Sequence, residues 1–343
     1  MKIECYSPGI KRKEMDAVLT VLVDEKIGPG EQAQRLLALT KERIGYEYAL
    51  SLRSSAAALY IALSALDIQP GSKAAVSALC PLYYTFVLKA LRITPLYCDI
   101  EQGSACISAG TIRAALKQSG ETELSAIIVS ETLGMMPDMA PFTEFGIPLV
   151  EDISSAFGSK LNGMPAGAFG TFTLLGLEER DMLTAGGGAL LFAADKHNAS
   201  LLKGFFPLPP EAGLADMNAA MALVQFRESQ KNLARRKEIS EAYIRAALQS
   251  RHKLFAMPDN FEYNNYTFPV ILETGMKDVQ NYAKRKEINV EQAFSETPAA
   301  KGLTGGLCPE SGLLSMRTAL FPLYPRLSGN DVERVVKLIQ TLP

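Results

Sequence analysis

A charged triplet interrupts two apolar segments of this 343-residue chain, at a position where chemistry is expected. The stretch FTLLGLEERDMLTAGGGALLF begins at Phe172 as a predicted strand and ends at Phe192 in another. Between them stand Glu178-Glu179-Arg180 and the run Gly186-Gly187-Gly188. Glycine lacks a Cβ, so such a run allows the backbone to approach a neighbouring segment or a ligand closely. The residues that precede the glycines therefore bear directly on function.

Three other segments place polar groups at the predicted ends of strands, namely SLRSSAAAL, SETLGMMPD and VEDISSAFG. In a parallel sheet, ligands lie at the carboxyl ends of the strands. Burial of Asp152 at one of these ends is costly unless the carboxylate is paired. It is therefore either a ligand-binding acid or a structural acid held by backbone N–H groups. The turn Ser54-Ser55-Ala56 opens a helix and could bind a phosphate there, although simple N-capping explains it more economically.

Composition argues against several classes of protein. The two histidines, His197 and His252, stand in charged local contexts, so we expect neither a zinc site nor a Ser-His-Asp triad. The five cysteines show no C-x-x-C spacing, which favours buried, reduced thiols. The net charge of -2 offers no basic surface, so we expect no nucleic-acid partner. Neither a signal-peptide core nor a membrane span is apparent, and we expect a cytoplasmic protein with no membrane partner.

The rest of the sequence must position these residues. It alternates predicted helices with short apolar segments that we predict to be strands. This alternation is typical of an α/β protein with a mostly parallel sheet covered on both faces. The segments TFTLLG and GALLFAA predict an antiparallel pair, and a long helical region follows, with an interruption predicted from Glu228 to Asn232. The last segments predict a smaller α+β unit. We therefore predict a large α/β domain over residues 1–235 and a small C-terminal α+β domain over residues 236–343.

Several segments, taken in order, resemble the DegT/DnrJ/EryC1/StrS family of pyridoxal-phosphate (PLP) sugar aminotransferases. They include GYEYALSLRSSAAALYIALSALDIQPGS, RITPLYCDIE, LGMMPDMAPF, IPLVEDISSAFGSKLNGMPAGAFGTFT, GGGALLF, DMNAAMALVQF and ALFPLYPRLSGNDVERVVKLI. The likeness covers nearly the whole chain. It implies PLP-dependent transferase fold type I, with a mostly parallel sheet of the seven-stranded type. It also implies a homodimer with sites at the subunit interface, and transfer of an amino group from glutamate to a nucleotide-linked keto-sugar.

The resemblance implies a role for residues of the coenzyme site. Asp152 falls on the acid that keeps the pyridine nitrogen protonated, and Thr173 on a hydroxyl that binds the phosphate. Ser55-Ala56 replaces the Gly-Thr pair of the other phosphate turn, and Ser155 replaces a glutamine.

Two further positions depart from the pattern of the family. Pro81 aligns with the aromatic residue that stacks on the coenzyme ring, although Tyr83 and Tyr84 stand close by. Glu211 aligns with the asparagine that reaches across from the partner subunit. A carboxylate at that position would repel a phosphate.

The Schiff-base lysine is the decisive departure, because no lysine occurs between Asn162 and Asp195. Counting back from the glycines places Arg180 at its position, and counting forward from Phe172 places Glu178 there. Arginine stays protonated and does not act as a Schiff-base nucleophile, and a carboxylate cannot form an imine.

No other basic residue is a good substitute. Lys160 belongs to a predicted surface hairpin, and Lys203 follows the returning strand. Neither histidine aligns with the base of the family's lysine-free dehydratases.

These departures predict a homologue that has lost ordinary transamination. Such a pseudoenzyme would bind PLP non-covalently or not at all, and could keep a nucleotide-sugar cleft for binding or regulation. The alternative is an active sugar aminotransferase with a rearranged site. A third possibility is a different reaction that uses Asp152, Arg180 or Glu211.

Overall fold

The computed structural model describes residues 2–46 and 48–343. Helices alternate with strands from Glu31 to Ser130, as the sequence pattern predicts, and five strands then follow one another from Leu149 to Ala193 without an α-helix between them. The helices as far as Lys203 are α1 (Arg12–Val23), α2 (Glu31–Ile44), α3 (Ser55–Ala65), α4 (Leu82–Ala90), α5 (Ala109–Ser119) and α6 (Lys196–Lys203). The strands are β1 (Tyr48–Leu52), β2 (Lys73–Ser77), β3 (Thr94–Cys98), β4 (Ala126–Ser130), β5 (Leu149–Asp152), β6 (Lys160–Leu161), β7 (Met164–Pro165), β8 (Phe172–Gly176) and β9 (Ala189–Ala193).

A long helix then leads into the C-terminal part of the chain. Its elements are α7 (Asp216–Ala247), β10 (Phe261–Glu262), β11 (Phe268–Ile271), α8 (Met276–Arg285), β12 (Glu291–Gln292), α9 (Pro309–Arg317), β13 (Thr318–Phe321) and α10 (Gly329–Gln340). Within the described residues, no helix is both long enough and apolar enough to cross a membrane.

The main sheet confirms the predicted fold class. Across residues 2–46 and 48–343 it contains seven strands in the order β1-β9-β8-β5-β4-β2-β3. The strands from β8 to β3 in this order run parallel to one another. Strand β9 is antiparallel to β8, as predicted from the two segments after residue 170, and it is also antiparallel to β1. The carboxyl ends of β4, β5 and β8 therefore meet at one edge of the sheet.

Both faces of the sheet are buried, which explains why its central strands are apolar at every position. In β4, Ala126 and Ile128 belong to the core cluster that contains the apolar residues of α3 and α4. Ile127 and Val129 point to the opposite face, into a cluster that contains residues of α5. Successive side chains of a strand point to opposite faces, so a strand covered on both sides needs a continuous apolar run.

Local signals fix several helix ends. Ser108 forms the capping box of α5, with its Oγ accepting a hydrogen bond from the N–H of Thr111. Gly45 ends α2 in the left-handed conformation, with a φ of 82°. Helix α1 ends at Val23.

Helix α7 corrects the predicted interruption between Glu228 and Asn232, because it is continuous from Asp216 to Ala247. The helix contains neither glycine nor proline, and its charged residues are compatible with a solvated helix face. The domain boundary predicted at 235/236 consequently lies inside a helix. The first half of α7 packs against the main sheet, through residues such as Phe226.

The C-terminal part has its own core. Its sheet has the order β11-β13-β12 in the described chain, and its apolar cluster includes Tyr243 from the second half of α7 and residues of α8 and α10. Ile3 also belongs to this cluster and forms a parallel bridge with Ile288. The N-terminal segment thus packs with the C-terminal unit, although the sequence analysis assigns it to the large domain.

Candidate active site

The three polar segments noted in the sequence meet at the carboxyl edge of the main sheet. Strand β5 ends at Asp152, which is paired in register with Ser130 of β4 on one side and with Leu174 of β8 on the other. The segments that follow these three strands therefore lie side by side, together with the N-terminus of α3. This edge is the candidate site.

Asp152 is buried, with 4% of its surface exposed, and its carboxylate is fully engaged by the protein. The N–H of Ser154 donates to Oδ1 over 3.0 Å, and the hydroxyl of Ser154 donates to the same oxygen. The hydroxyls of Tyr83 and Tyr84 donate to Oδ2 over 2.6 Å and 2.8 Å. A carboxylate offers about four lone-pair sites, and four donors occupy them here.

Tyr83 and Tyr84 come from the first turn of α4, which brings both rings over the end of β5. Their ring centroids lie 4.9 Å apart in an edge-to-face arrangement. Burial, followed by the negative charge of Asp152, raises the pKa of both phenols well above the ordinary value. Both hydroxyls therefore remain protonated and serve as hydrogen-bond donors.

Glu178 lies at the N-terminus of α3. Its Oε1 accepts a hydrogen bond of 3.2 Å from the backbone N–H of Ser55, the first residue of that helix. Ser54 is the N-cap, because its Oγ accepts from the N–H of Ala57. An N-terminal helix end attracts negative charge. The carboxylate of Glu178 thus occupies the place where the sequence suggests that a phosphate could bind.

Asp181 holds the backbone of Glu178 in place. Its Oδ2 accepts a hydrogen bond of 2.8 Å from the N–H of Glu178. Burial, followed by the nearby charges of Asp152 and Glu178, raises the pKa of Asp181 to about 7. A Cβ added to Gly176 would clash with Asp181 Oδ2 and lie 2.7 Å from the hydroxyls of Ser55 and Ser154. These polar groups converge where β8 leaves the sheet.

The three glycines that follow the triplet serve to close this loop onto the sheet. Their φ values are 71°, 145° and 119°, in the region that favours glycine. The N–H of Leu177 donates to the carbonyl of Gly188, and the N–H of Gly187 donates back to Leu177. A Cβ at Gly188 would collide with the side chain of Leu214. Close backbone packing explains the need for glycine at this position.

The two residues that compete for the lysine position are held in different places. Glu178 reaches the start of α3, whereas Arg180 points outward and forms an ion pair of 2.6 Å with Glu291. The guanidinium of Arg180 also lies 5.4 Å from the ring centroid of Tyr6. Tyr266 donates a hydrogen bond of 2.6 Å to the carbonyl of Arg180, so the C-terminal unit anchors this segment.

The two alternative lysines take part in contacts elsewhere. Lys160 lies in the β6–β7 hairpin and forms an ion pair of 3.4 Å with Glu262. Lys203 is exposed at the end of α6, and its Nζ lies 5.4 Å from the ring centroid of Tyr48.

Four other residues predicted for the coenzyme site lie in different surroundings. The hydroxyl of Thr173 donates to the carbonyl of Gly167 over 2.9 Å, so the protein already uses this group. Ala56 contributes no polar side-chain group to the first turn of α3. Ser155 is partly buried, and its carbonyl accepts from Asn264 over 2.7 Å. Glu211 is exposed on the loop before α7, where its carbonyl accepts from Arg53 over 3.4 Å.

One buried acid at this edge was missed by the sequence analysis. Glu131 follows β4 with 1% of its surface exposed, and both carboxyl oxygens are without a hydrogen-bond partner among the described residues. Its backbone N–H donates to the carbonyl of Asp152 over 3.1 Å. Burial, followed by repulsion from Glu151, raises its pKa well above the ordinary value. Its position directly after a buried strand was the available signal.

In the described part of the chain, no group of three or more His, Cys, Asp and Glu side chains is arranged to hold a metal ion. All five cysteines are buried and free, and their pKa values are raised by burial. Unreactive thiols of this kind agree with the sequence-based expectation.

Comparisons with known proteins place this geometry in context. A curated relative from Saccharopolyspora spinosa, dTDP-4-dehydro-2,3,6-trideoxy-D-glucose 4-aminotransferase, is 22% identical over 98% of this chain and 96% of its own length. The aminotransferase TlmJ from Streptoalloteichus hindustanus superposes with a TM-score of 0.89 at 19% identity, over 99% of this chain and 98% of its own.

The protein Spr1654 from Streptococcus pneumoniae has been solved in a PLP form. It superposes with a TM-score of 0.88 at 19% identity, covering 99% of this chain and 98% of that one. The family model matches residues 8–205 and 211–340, so only residues 206–210 are unmatched within that span. The chain therefore belongs to the DegT/DnrJ/EryC1/StrS aminotransferase family.

Proposed function

We propose that this chain is a non-catalytic member of the sugar aminotransferase family, which has given up PLP-dependent transamination for a binding or regulatory role. The observation that carries the proposal is the position of Glu178. Its carboxylate lies against the N–H of Ser55, 3.2 Å away, in the segment that should supply the Schiff-base lysine. Among residues 2–46 and 48–343, the groups that donate hydrogen bonds to the carboxylate of Asp152 are two phenols and the N–H and hydroxyl of Ser154, and none of them is an amine.

The residues at the sheet edge do not fit PLP as the chain stands. A protonated pyridine nitrogen needs a free carboxylate oxygen, yet both oxygens of Asp152 already accept hydrogen bonds. A phosphate needs free N–H groups and no adjacent negative charge, yet Glu178 occupies the N–H of Ser55. A lysine that shuttles a proton contributes about 10²–10⁴-fold to rate, and that contribution is absent from this segment.

The direct test is reconstitution of the purified chain with PLP, followed by borohydride reduction and peptide mass analysis. We expect no covalent attachment to a lysine, and no amino transfer from glutamate to keto-sugar nucleotides. A protein that fixes the coenzyme onto a lysine would contradict the proposal. Spr1654, prepared in parallel, is the positive control.

The second candidate function is an active sugar aminotransferase with a rearranged site. The observation in its favour is the family match over almost the whole chain. Amino transfer by the wild-type chain in the same assay would establish this candidate in place of the first.

We further propose that two copies of the chain assemble and that the assembly binds a nucleotide sugar. Exposed aromatic side chains support a dimer, with Phe86 69% and Phe206 67% exposed. Phe206 also lines a largely apolar groove of about 610 Å³ beside β1. Light scattering on the wild type and on Phe206→Asp tests the dimer, and we expect the variant to dissociate. Thermal shift with dTDP-glucose tests the ligand, with a rise in Tm expected.

A further inference from the structure

We infer that Tyr83, Tyr84 and Glu178 form an internal substitute for the coenzyme, filling from within the chain both polar ends of the site in which PLP would be held. The inference rests on the proposed function, because it presupposes that the chain operates without the coenzyme. It goes further by stating what the missing coenzyme is replaced by, and it predicts that the site is closed to PLP and to phosphate.

The first end of the substitute is the acid Asp152. A free carboxylate buried at the end of β5 would be costly, and a coenzyme ring nitrogen would normally relieve that cost. Here the hydroxyls of Tyr83 and Tyr84 donate to Oδ2 over 2.6 Å and 2.8 Å. Tyr83 is the more accessible of the two, since Tyr84 is completely buried. Tyr83 is therefore the phenol that lies nearer to solvent at the ring end.

The second end is the start of α3, an 11-residue helix. The carboxylate of Glu178 supplies the negative charge that this helix end favours, and does so 3.2 Å from the N–H of Ser55. Ser55 is 3% exposed, and its hydroxyl has no partner among the described residues. An unpartnered buried hydroxyl beside the helix end marks a place suited to a larger anion than the carboxylate that now fills it.

Asp181 lies close to groups of both ends. Its Oδ2 accepts the N–H of Glu178, and its carboxyl group lies next to the hydroxyls of Ser55 and Ser154 at Gly176. Ser154 in turn donates to Asp152. The polar groups of both ends thus lie close together around Gly176.

The inference is tested with a variant that removes both parts of the substitute, Tyr83→Ala combined with Glu178→Gln. The matched control is Tyr60→Ala combined with Glu179→Gln. Tyr60 is 46% exposed on α3, and Glu179 is an exposed neighbour of Glu178. The probes are PLP, followed by its absorbance and by calorimetry, and inorganic phosphate, followed by thermal shift.

We expect the opened variant to bind PLP about tenfold or more tighter than the wild type, because a like charge and a bound phenol are removed. PLP should raise the Tm of the opened variant, and leave the wild type and the control unchanged. Binding of PLP by the wild type as tightly as by the opened variant would overturn the inference, even if no transamination occurs. Equal PLP affinity of a folded opened variant and the control would also overturn it.

A single substitution covers the case in which the opened variant does not fold. Glu178→Gln keeps the shape of the side chain and removes only its charge. We expect inorganic phosphate to raise the Tm of this variant but not that of the wild type or Glu179→Gln. Equal responses of all three proteins to phosphate would sink the inference. Failure of the proposed function looks different, because it would appear as amino transfer by the wild type itself.

Discussion

The hydroxyl of Tyr83 donates a hydrogen bond of 2.6 Å to Oδ2 of Asp152, across 69 positions of sequence. This contact links the start of α4 to the end of β5 at the place where a coenzyme-binding acid would be expected. Tyr84 donates to the same oxygen, so a pair of adjacent phenols competes with any ring nitrogen for this acid. On the proposed function, Asp152 is the acid that the resemblance implies, held by partners other than a coenzyme.

The first prediction concerns these two phenols. Tyr83→Phe and Tyr84→Phe each remove one donor to a buried carboxylate and should each lower the free energy of unfolding by about 1–3 kcal/mol. The double variant should lose more than either single variant, because Oδ2 then has no donor. Urea denaturation measures the effect. Tyr60→Phe is the control, and a loss there as large as at Tyr84 would contradict the explanation.

The second prediction concerns pH and Asp181, whose pKa rises from 3.8 to about 7 on folding. A carboxyl with a raised folded-state pKa binds its proton more tightly in the native protein. Its contribution to stability is full below pH 3.8 and is lost as the pH rises to 7. Asp152 and Glu178 face this carboxyl and contribute to the shift.

Asp181→Asn should therefore become more stable relative to the wild type as the pH increases from 4 to 7, with a level difference above that. The difference is of the order of 2–4 kcal/mol, as about three pKa units imply at most. Urea denaturation of both proteins at a series of pH values measures it. A difference that does not depend on pH would show that Asp181 has an ordinary pKa.

The third prediction is that one lysine does not restore the coenzyme site. Glu178→Lys places a cation at the N-terminus of α3 and removes the bond to Ser55, so the free energy of unfolding should fall by about 1 kcal/mol. Asp152 would remain engaged by Tyr83 and Tyr84. We expect little PLP attachment by borohydride reduction in this variant, and clearly more when Tyr83→Ala is added. Full attachment in the single variant would contradict the role assigned to the tyrosines.

The fourth prediction separates packing from conformation in the glycine run. Gly188→Ala should lower the free energy of unfolding by about 1–3 kcal/mol or more, because the new Cβ meets Leu214 and an unfavourable φ of 119°. Gly186 has a φ of 71° and open space around its Cβ position. Gly186→Ala should therefore cost only about 1 kcal/mol. Thermal unfolding compares the two variants. Equal losses of stability would show that close packing at Gly188 does not contribute.

The glycine run and the charged triplet show which features local sequence signals predict and which they leave open. The strands on either side of the run are predicted from their apolar residues, and their antiparallel pairing is confirmed. The occupant of the lysine position remains ambiguous in the sequence, because the loop length lets Glu178 and Arg180 compete. The structure separates them, since only Glu178 reaches α3, and Arg180 pairs with Glu291.

The sequence by itself determined the α/β class, the main strands and the lack of a lysine between Asn162 and Asp195. These features depend on residue type and on short-range periodicity, which are visible along the chain. The tertiary structure alone decided that Tyr83 and Tyr84 engage Asp152, that α7 is continuous, and that Ile3 packs with the C-terminal unit. Contacts of this kind join distant positions, and their geometry depends on how the sheet and helices pack rather than on any local pattern.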